Sequence, residues 1–356
     1  MSDIFSPVAF GDIELTNRIV MAPMTRDRAG PNDEPTDVMV EYYRQRASAG
    51  LIITEGTQPS PAGKGYWRTP GIHNQEQVAG WRKVADAVHA EGGKIAVQIM
   101  HVGRAAVQAN KDADADTVAP SAIPCPDLIP GPTGVPEATV PPRALETDEI
   151  AGVIAEYVTA AKNAREAGID AVELHCASGY LPMQFLSSNS NQRTDQYGGS
   201  AENRVRFVVE TLTALADAIG PGRVGFRICP GIGLNGMADA DPAETYATLL
   251  KAVNGLGLAY VHLIHIPNDG FDSLELVRAN WTGPVIENNG LNLDRAKAVL
   301  ADGKADAVSF GYAYIGNPDL VARFRDGAPL AKADRKGFYT AEGDDARGYT
   351  DYPTYK

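Results

Sequence analysis

Few cysteines, no long apolar run and an excess of acidic residues set the first limits on this chain of 356 residues. Its three cysteines, Cys125, Cys176 and Cys229, cannot all pair and lack metal-type spacing. Reduced thiols in a cytoplasmic protein are the simplest interpretation. No apolar run approaches the roughly 20 residues that span a bilayer. The first residues show no basic stretch before an apolar core, so we expect no secretion signal.

The net charge of −13 argues against a broad surface for nucleic acid or for an anionic membrane. It does not exclude a local pocket for a phosphorylated cofactor. The hydrophobic content of 44% is enough to bury a large core. Length alone suggests two domains, but a single α/β barrel with insertions fits equally well.

Short apolar runs alternate with helical patterns along the chain. Eight such runs are present, at 19–25, 51–56, 95–101, 171–174, 224–230, 260–265, 284–290 and 307–312. Strands that alternate with helices predict parallel βαβ units, and eight of them predict a closed (β/α)8 or TIM barrel, a single α/β domain over residues 1–356. A doubly wound open sheet is the rival fold. It needs a glycine-rich phosphate turn after the first strand, and VMAPMTRDRAG offers none.

Two segments depart from this alternation. The N-terminal FSPVAFGDIELTN predicts a hairpin with its turn at Gly11-Asp12. Residues 105–146 contain PSAIPCPDLIPGPTGVPEATVPPRAL, which has too many prolines for a helix or a strand. We interpret this segment as a lid or capping insertion after the third strand. A linker between two domains is the alternative, and it is disfavoured because the strand–helix alternation resumes unchanged afterwards.

Functional-looking residues follow these runs, where a barrel places its active site. Those expected at one mouth are Thr25, Gly56, Gln98, His175, Arg227, His265, Gly290 and Gly311. Gln98, Arg227 and Thr25 offer donors, an acceptor and a positive charge, which suit the pyrimidine edge of a flavin. The turns Asn289-Gly290 and Gly311-Tyr312 match the usual phosphate site of a barrel. His262 and His265 lie three apart on a strand and face opposite sides, so no metal site is predicted.

Several longer motifs make the chain resemble the old yellow enzyme family of flavin-dependent ene-reductases. They are NRIVMAPMTR, ITEGT, VQIMHVGR, ELHCASGYLPMQFLSSNSNQRTDQYGGSAENRVRF, FGYAYIGNPDL and FYTAEGDDARGYTDYPTY. The resemblance covers nearly the whole chain. It implies a single (β/α)8 barrel that holds FMN non-covalently. It also implies that NAD(P)H reduces the flavin and that hydride then passes to the β-carbon of an α,β-unsaturated carbonyl or nitro compound.

The resemblance also implies roles for single residues. Along the flavin would lie Pro23, Met24 and Thr25, with a backbone contact from Gly56 and with Gln98 and Arg227 at the pyrimidine half. His175 would donate a hydrogen bond to the substrate carbonyl oxygen, and Tyr180 would protonate the α-carbon. Tyr339, in the C-terminal tail of residues 330–356, would line the substrate pocket.

Three positions depart from the family pattern. Ser178 stands where the family has asparagine or a second histidine, so one donor to the substrate is shorter or lost. Tyr312 stands where an arginine usually pairs with the FMN phosphate. The favoured explanation of Tyr312 is sequence divergence within the family with FMN retained as the cofactor. The alternative is a deazaflavin coenzyme, whose terminal phosphate group carries less negative charge. Met100 stands at a position that is often aromatic, above the substrate, and changes the shape of the pocket.

The favoured function is therefore an ene-reductase acting on small enone-type molecules. A non-redox flavin-assisted isomerase or lyase on the same scaffold is the alternative, and a flavin carrier or sensor is the third hypothesis. A homo-oligomer is one of the assembly states open to the chain. We expect no nucleic-acid and no membrane partner.

Overall fold

Within the described part of the chain, eight parallel strands close into a barrel in which each strand pairs with the next in sequence. The computed structural model describes residues 3–266, 271–288, 290–339 and 344–355. The barrel strands are β1 (Ile19–Met21), β2 (Leu51–Thr57), β3 (Ile95–Ile99), β4 (Ala171–Cys176), β5 (Val224–Ile228), β6 (Tyr260–Ile264), β7 (Val285–Asn288) and β8 (Ala307–Phe310). Val308 of β8 lies opposite Ile19 of β1 and closes the ring. The predicted (β/α)8 barrel is confirmed.

Helices follow the strands and cover the outside of the barrel. They are α1 (Asp37–Arg44), α2 (Gln75–Ala90), α3 (Ile150–Glu166), α4 (Leu181–Leu186), α5 (Ala201–Ile219), α6 (Pro242–Val253), α7 (Ser273–Asn280), α8 (Leu293–Ala301), α9 (Tyr312–Gly316) and α10 (Leu320–Asp326). Side chains of Asn74, Ser200 and Asp241 accept backbone N–H groups at the starts of α2, α5 and α6. Among the described residues, no helix combines the length and the apolarity needed to cross a membrane.

The N-terminal strands Val8–Phe10 and Ile13–Leu15 pair antiparallel and fill the bottom of the barrel. Phe10, Ile13 and Leu15 are buried in one cluster with apolar residues of the barrel strands. Gly11, at the turn, has φ of +55°, and a Cβ there would lie 2.5 Å from the backbone of Gly222. The bottom is therefore closed, and the C-terminal ends of the strands form the open mouth.

The segment 105–146 contains short strands, contrary to the expectation that its prolines prevent every regular element. Leu128–Pro130 pairs antiparallel with Pro136–Ala138, and Val118–Ala119 pairs with Arg143–Ala144. Pro130 lies opposite Pro136 at the ends of their strands, where a missing N–H is tolerated. Arg104 connects the segment to the loop after β5, donating to the carbonyls of Ile123 and Gly236.

Two arginines, the buried Arg26 and the partly exposed Arg68, hold the C-terminal tail at the mouth. Arg26 donates to the carbonyl oxygens of Phe338 at 2.8 Å and Gly348 at 2.6 Å. Arg68 forms a two-pronged ion pair with Asp345, at 2.7 and 2.6 Å. Because an irregular segment has carbonyls that no sheet or helix satisfies, Arg26 supplies donors that the tail lacks, while Arg68 binds a tail carboxylate. The tail is thereby fixed next to the site described below.

Candidate active site

A chain of buried hydrogen bonds crosses the inside of the barrel. Gln98 Nε2 donates to Glu173 Oε1 at 2.7 Å, and His262 Nδ1 donates to Glu173 Oε2 at 2.9 Å. The Ser309 hydroxyl donates to His262 Nε2 at 2.8 Å, and burial lowers the pKa of His262, so its ring is neutral. Gln98 therefore keeps one amide N–H and its Oε1 for a ligand. These hydrogen bonds inside the barrel fix the orientation of the Gln98 side chain.

The two histidines at the end of β6 contact different carboxylates. His262 contacts Glu173, whereas His265 Nδ1 lies 2.9 Å from Glu287 Oε1. His262 lies within β6, whereas His265 follows its last residue. Across the residues that the structure describes, no group of three histidine, cysteine or acidic side chains is placed to hold a metal ion.

A cleft of about 450 Å³ opens at the ends of β1, β5, β7 and β8. The predicted site residues that line it are Pro23, Met24, Thr25, Arg227, Gly290, Gly311, Tyr312 and Tyr339. Gly290 has φ of +64°, a left-handed conformation that favours glycine. Asn289, which was also predicted to bind the cofactor, lies outside the described residues. The cleft thus collects most of the residues expected along a flavin.

Arg227 is a buried cation with incomplete hydrogen bonding. Its Nη2 donates to Asn288 Oδ1 at 2.7 Å, while its Nε is buried and has no hydrogen-bond partner among the described residues. Burial lowers the pKa of Arg227, because a charge away from water is costly until a negative or electron-rich group compensates it. The pyrimidine edge of a flavin carries carbonyl oxygens and a nitrogen that becomes anionic on reduction. The residues present therefore fit the group that the sequence predicted.

His175 lies at the end of β4, directly opposite Arg227 of β5 in the strand register. It is 6% exposed, and its Nδ1 accepts the backbone N–H of Ala177 at 3.3 Å. That bond leaves the ring proton on Nε2. Burial, and then the positive charge of Arg227, lower the pKa of His175 well below its ordinary value. His175 is therefore a neutral hydrogen-bond donor.

Tyr180 packs against His175 and contacts a second tyrosine. The His175 and Tyr180 rings meet edge to face, with centroids 4.9 Å apart. The Tyr180 hydroxyl donates to the hydroxyl of Tyr66 at 3.0 Å. Burial raises the pKa of both phenols, so both keep their protons at neutral pH. Tyr66 was missed from the sequence, although its place in the loop after the C-terminal end of β2 is a usable signal.

Ser178 adopts a left-handed backbone conformation, with φ of +58°. Its N–H donates to Cys229 Sγ at 3.1 Å, and its carbonyl accepts Asn235 Nδ2 at 2.7 Å. The backbone is therefore fixed on both sides and only the partly exposed side chain can vary. Asn235, from the loop after β5, is a second contact that the sequence patterns did not indicate.

Met100 and Gly56 lie against each other at the ends of β3 and β2. Met100 is 3% exposed, and a Cβ at position 56 would lie 2.4 Å from its Sδ. Gly56 is also the strand partner of Gln98. Among the described residues, the cleft lining does not include seven predicted ones, namely Gly56, Gln98, Met100, His175, Ser178, Tyr180 and His265. The site therefore consists of the cleft residues and of a second group that includes His175 and Tyr180. The two groups meet where Arg227 lies beside His175.

Known proteins share this barrel over almost its whole length. The model of the NADH:flavin oxidoreductase / NADH oxidase family matches residues 3–331. A probable flavin mononucleotide-dependent alkene reductase of Leishmania infantum is 42% identical, over 98% of this chain and 97% of its own. Morphinone reductase, solved in complex with tetrahydroNAD, has a TM-score of 0.94 and 43% identity, covering 100% of this chain and 98% of its own.

The old yellow enzyme homologue from Zymomonas mobilis has a TM-score of 0.94 and 37% identity, with 99% of each chain covered. The resemblance that the sequence motifs indicated is therefore confirmed. The chain is an oxidoreductase of the old yellow enzyme type and belongs to the NADH:flavin oxidoreductase / NADH oxidase family.

Proposed function

We propose that this chain is an FMN-dependent ene-reductase that uses NAD(P)H to reduce the C=C bond of α,β-unsaturated carbonyl or nitro compounds. The observation that carries the proposal is the buried cation Arg227, which lies beside the neutral donor His175 and whose Nε has no partner in the described part of the chain. The names of its relatives support the reaction class, since they are an alkene reductase and a reductase complexed with tetrahydroNAD. Neither the deazaflavin coenzyme nor the non-redox isomerase finds support among them.

The cleft residues would hold the cofactor, and FMN, when bound, would supply the hydride. Arg227 and Gln98 would bind the pyrimidine edge, and Thr25, with Pro23 and Met24, would line the ring. Glu173 keeps Gln98 oriented through the 2.7 Å bond, so the amide is preorganised before any ligand arrives. The glycines Gly290 and Gly311 would let the backbone approach the phosphate end.

His175 and Tyr180 would act on the substrate. A hydride arriving at the β-carbon moves negative charge onto the carbonyl oxygen, and the Nε2–H of His175 would donate a hydrogen bond to it. Tyr180 would then deliver its phenolic proton to the α-carbon. The raised pKa of Tyr180 keeps this proton in place at neutral pH. Met100 and Tyr339 would shape the surrounding pocket.

Titration of the purified protein with FMN tests the proposal. We expect Arg227→Met to weaken flavin binding by about tenfold or more, because the charge-assisted contact is lost. Arg223→Met is the matched control, since Arg223 precedes the same strand at its closed end and binds the carbonyl of Asp170 at 3.0 Å. The wild type should also oxidise NADH in proportion to added cyclohexenone. A protein that binds no flavin, or consumes no NADH with the enone, contradicts the proposal.

The tyrosine pair gives a separate prediction. We expect Tyr180→Phe to lower turnover of cyclohexenone by about 10²-fold, the usual contribution of a general acid. The rate at which NADH bleaches the flavin colour should stay unchanged, because that step needs no proton from Tyr180. Tyr66→Phe should have a smaller effect, since it removes only the partner of the Tyr180 hydroxyl. Equal losses in both half-reactions would instead indicate a structural role for Tyr180.

A further inference from the structure

At the phosphate end of the cleft Tyr312 follows Gly311, where the family resemblance implies an arginine. We propose that Arg335, from the C-terminal tail, supplies the positive charge for the terminal phosphate of FMN in this protein. The inference rests on the proposed function. It deepens that function by naming the residue that selects a phosphorylated flavin.

Arg335 lies next to the first cleft, across the ring of Tyr312. Tyr312 is the first residue of α9, is 65% exposed and lines the cleft beside Gly311. Its ring lies 5.3 Å from the ring of Phe338, and the Arg335 guanidinium lies over it, 5.7 Å from its centroid. Tyr312 therefore does not replace the missing charge itself, but the Arg335 guanidinium lies over its ring, beside the first cleft.

The two cations that line the first cleft among the described residues, Arg26 and Arg227, already donate hydrogen bonds within the protein. Arg26 is buried and binds the Tyr42 hydroxyl and three tail carbonyls. Arg227 belongs to β5 and binds Asn288. A second cleft of about 750 Å³ shares Tyr312, Ala313 and Phe338 with the first. This second cleft is lined by Lys332 and Arg335, together with one acid, Asp334.

Hydrogen bonds fix the backbone next to Arg335, while the Arg335 side chain is exposed to solvent. The carbonyl of Gly337 accepts Arg26 Nη2 at 3.2 Å and Arg28 Nη2 at 3.3 Å. Asp334 Oδ1 accepts the N–H of Lys336 at 3.1 Å, within the short turn Arg335–Gly337. Arg335 is exposed, and its contact with Tyr312 is weaker than a bidentate bond to phosphate. A phosphate at the end of the cleft would therefore draw the guanidinium to itself.

Comparing FMN with riboflavin, which lacks the phosphate, tests the assignment. Dissociation constants are measured from the change in flavin fluorescence for the wild type and for Arg335→Ala. We expect the variant to bind FMN about tenfold to a hundredfold more weakly and to bind riboflavin unchanged. Lys336→Ala, which removes the neighbouring exposed cation, should leave both constants unchanged.

A rescue substitution distinguishes a lost phosphate contact from a general loss of folding. Tyr312→Arg introduced into the Arg335→Ala variant should restore the preference for FMN, because it returns a guanidinium to the phosphate end. Equal weakening of both flavins by Arg335→Ala, or an effect equal to that of Lys336→Ala, would overturn the assignment. The same holds if Lys332→Ala alone removes the preference. If the wild type binds neither flavin, the proposed function itself fails.

Discussion

Replacing His175 with alanine should reduce kcat/KM for cyclohexenone by about 10²- to 10³-fold, the cost of one lost donor to a developing oxyanion. The donor is well defined, because the backbone N–H of Ala177 occupies Nδ1 and leaves the proton on Nε2. The loss should appear in the reaction with the enone and not in the reduction of the flavin by NADH. Separate rates for the two half-reactions, measured by rapid mixing, check this.

His89→Ala is the matched control for the His175 variant. His89 lies on α2, is partly exposed and contacts Asp170 at the closed end of the barrel. It should leave kcat/KM unchanged. A loss of similar size in both variants, or no loss in His175→Ala, would contradict the assigned role.

The pH profile gives an additional check on His175. Burial and the neighbouring Arg227 lower its pKa, so the neutral donor is the form present at and above the ordinary histidine value of about 6.5. Acidification through pH 6.5 should therefore cause no loss of activity that depends on His175. A step at that pH that disappears in His175→Ala would show that the ring titrates normally.

Ser178→Asn should raise turnover of simple enones by about tenfold or more. Serine is short, and asparagine would extend a second N–H donor towards the carbonyl oxygen beside His175. The backbone already has φ of +58°, a region that asparagine adopts more readily than serine. The bonds to Cys229 and Asn235 involve only backbone atoms of residue 178, so they survive the change.

Steady-state rates with cyclohexenone, together with the thermal midpoint, test the Ser178 prediction. The thermal midpoint should stay the same or rise, because asparagine adopts the left-handed backbone conformation at position 178 at lower cost than serine. Ser178→Ala is the control, since it removes the hydroxyl without adding a donor, and its turnover should not exceed that of the wild type. An asparagine variant that folds, binds flavin and shows no gain would count against the idea that a donor is missing.

The barrel itself was predictable from the sequence. Buried parallel strands need apolar residues on both faces, so each appears as a short apolar run, and the helices between them carry their own periodicity. Proline content was a weaker guide. Pro130 and Pro136 end short paired strands instead of preventing them. The short helix α4 was not among the sequence predictions, because burial of all six of its residues, and not their local pattern, stabilises it.

Sequence by itself determined the family and the fold, and it predicted His175, Tyr180 and Arg227 as site residues, because they lie in long motifs at strand ends. Tertiary structure alone decided the contacts made across the mouth. Tyr66 reaches Tyr180, Asn235 reaches Ser178, and Arg335 reaches Tyr312. Each pair is far apart along the chain. Closure of the barrel and the tail held by arginines bring the two members of each pair together. A local sequence pattern contains no information on contacts between such distant residues.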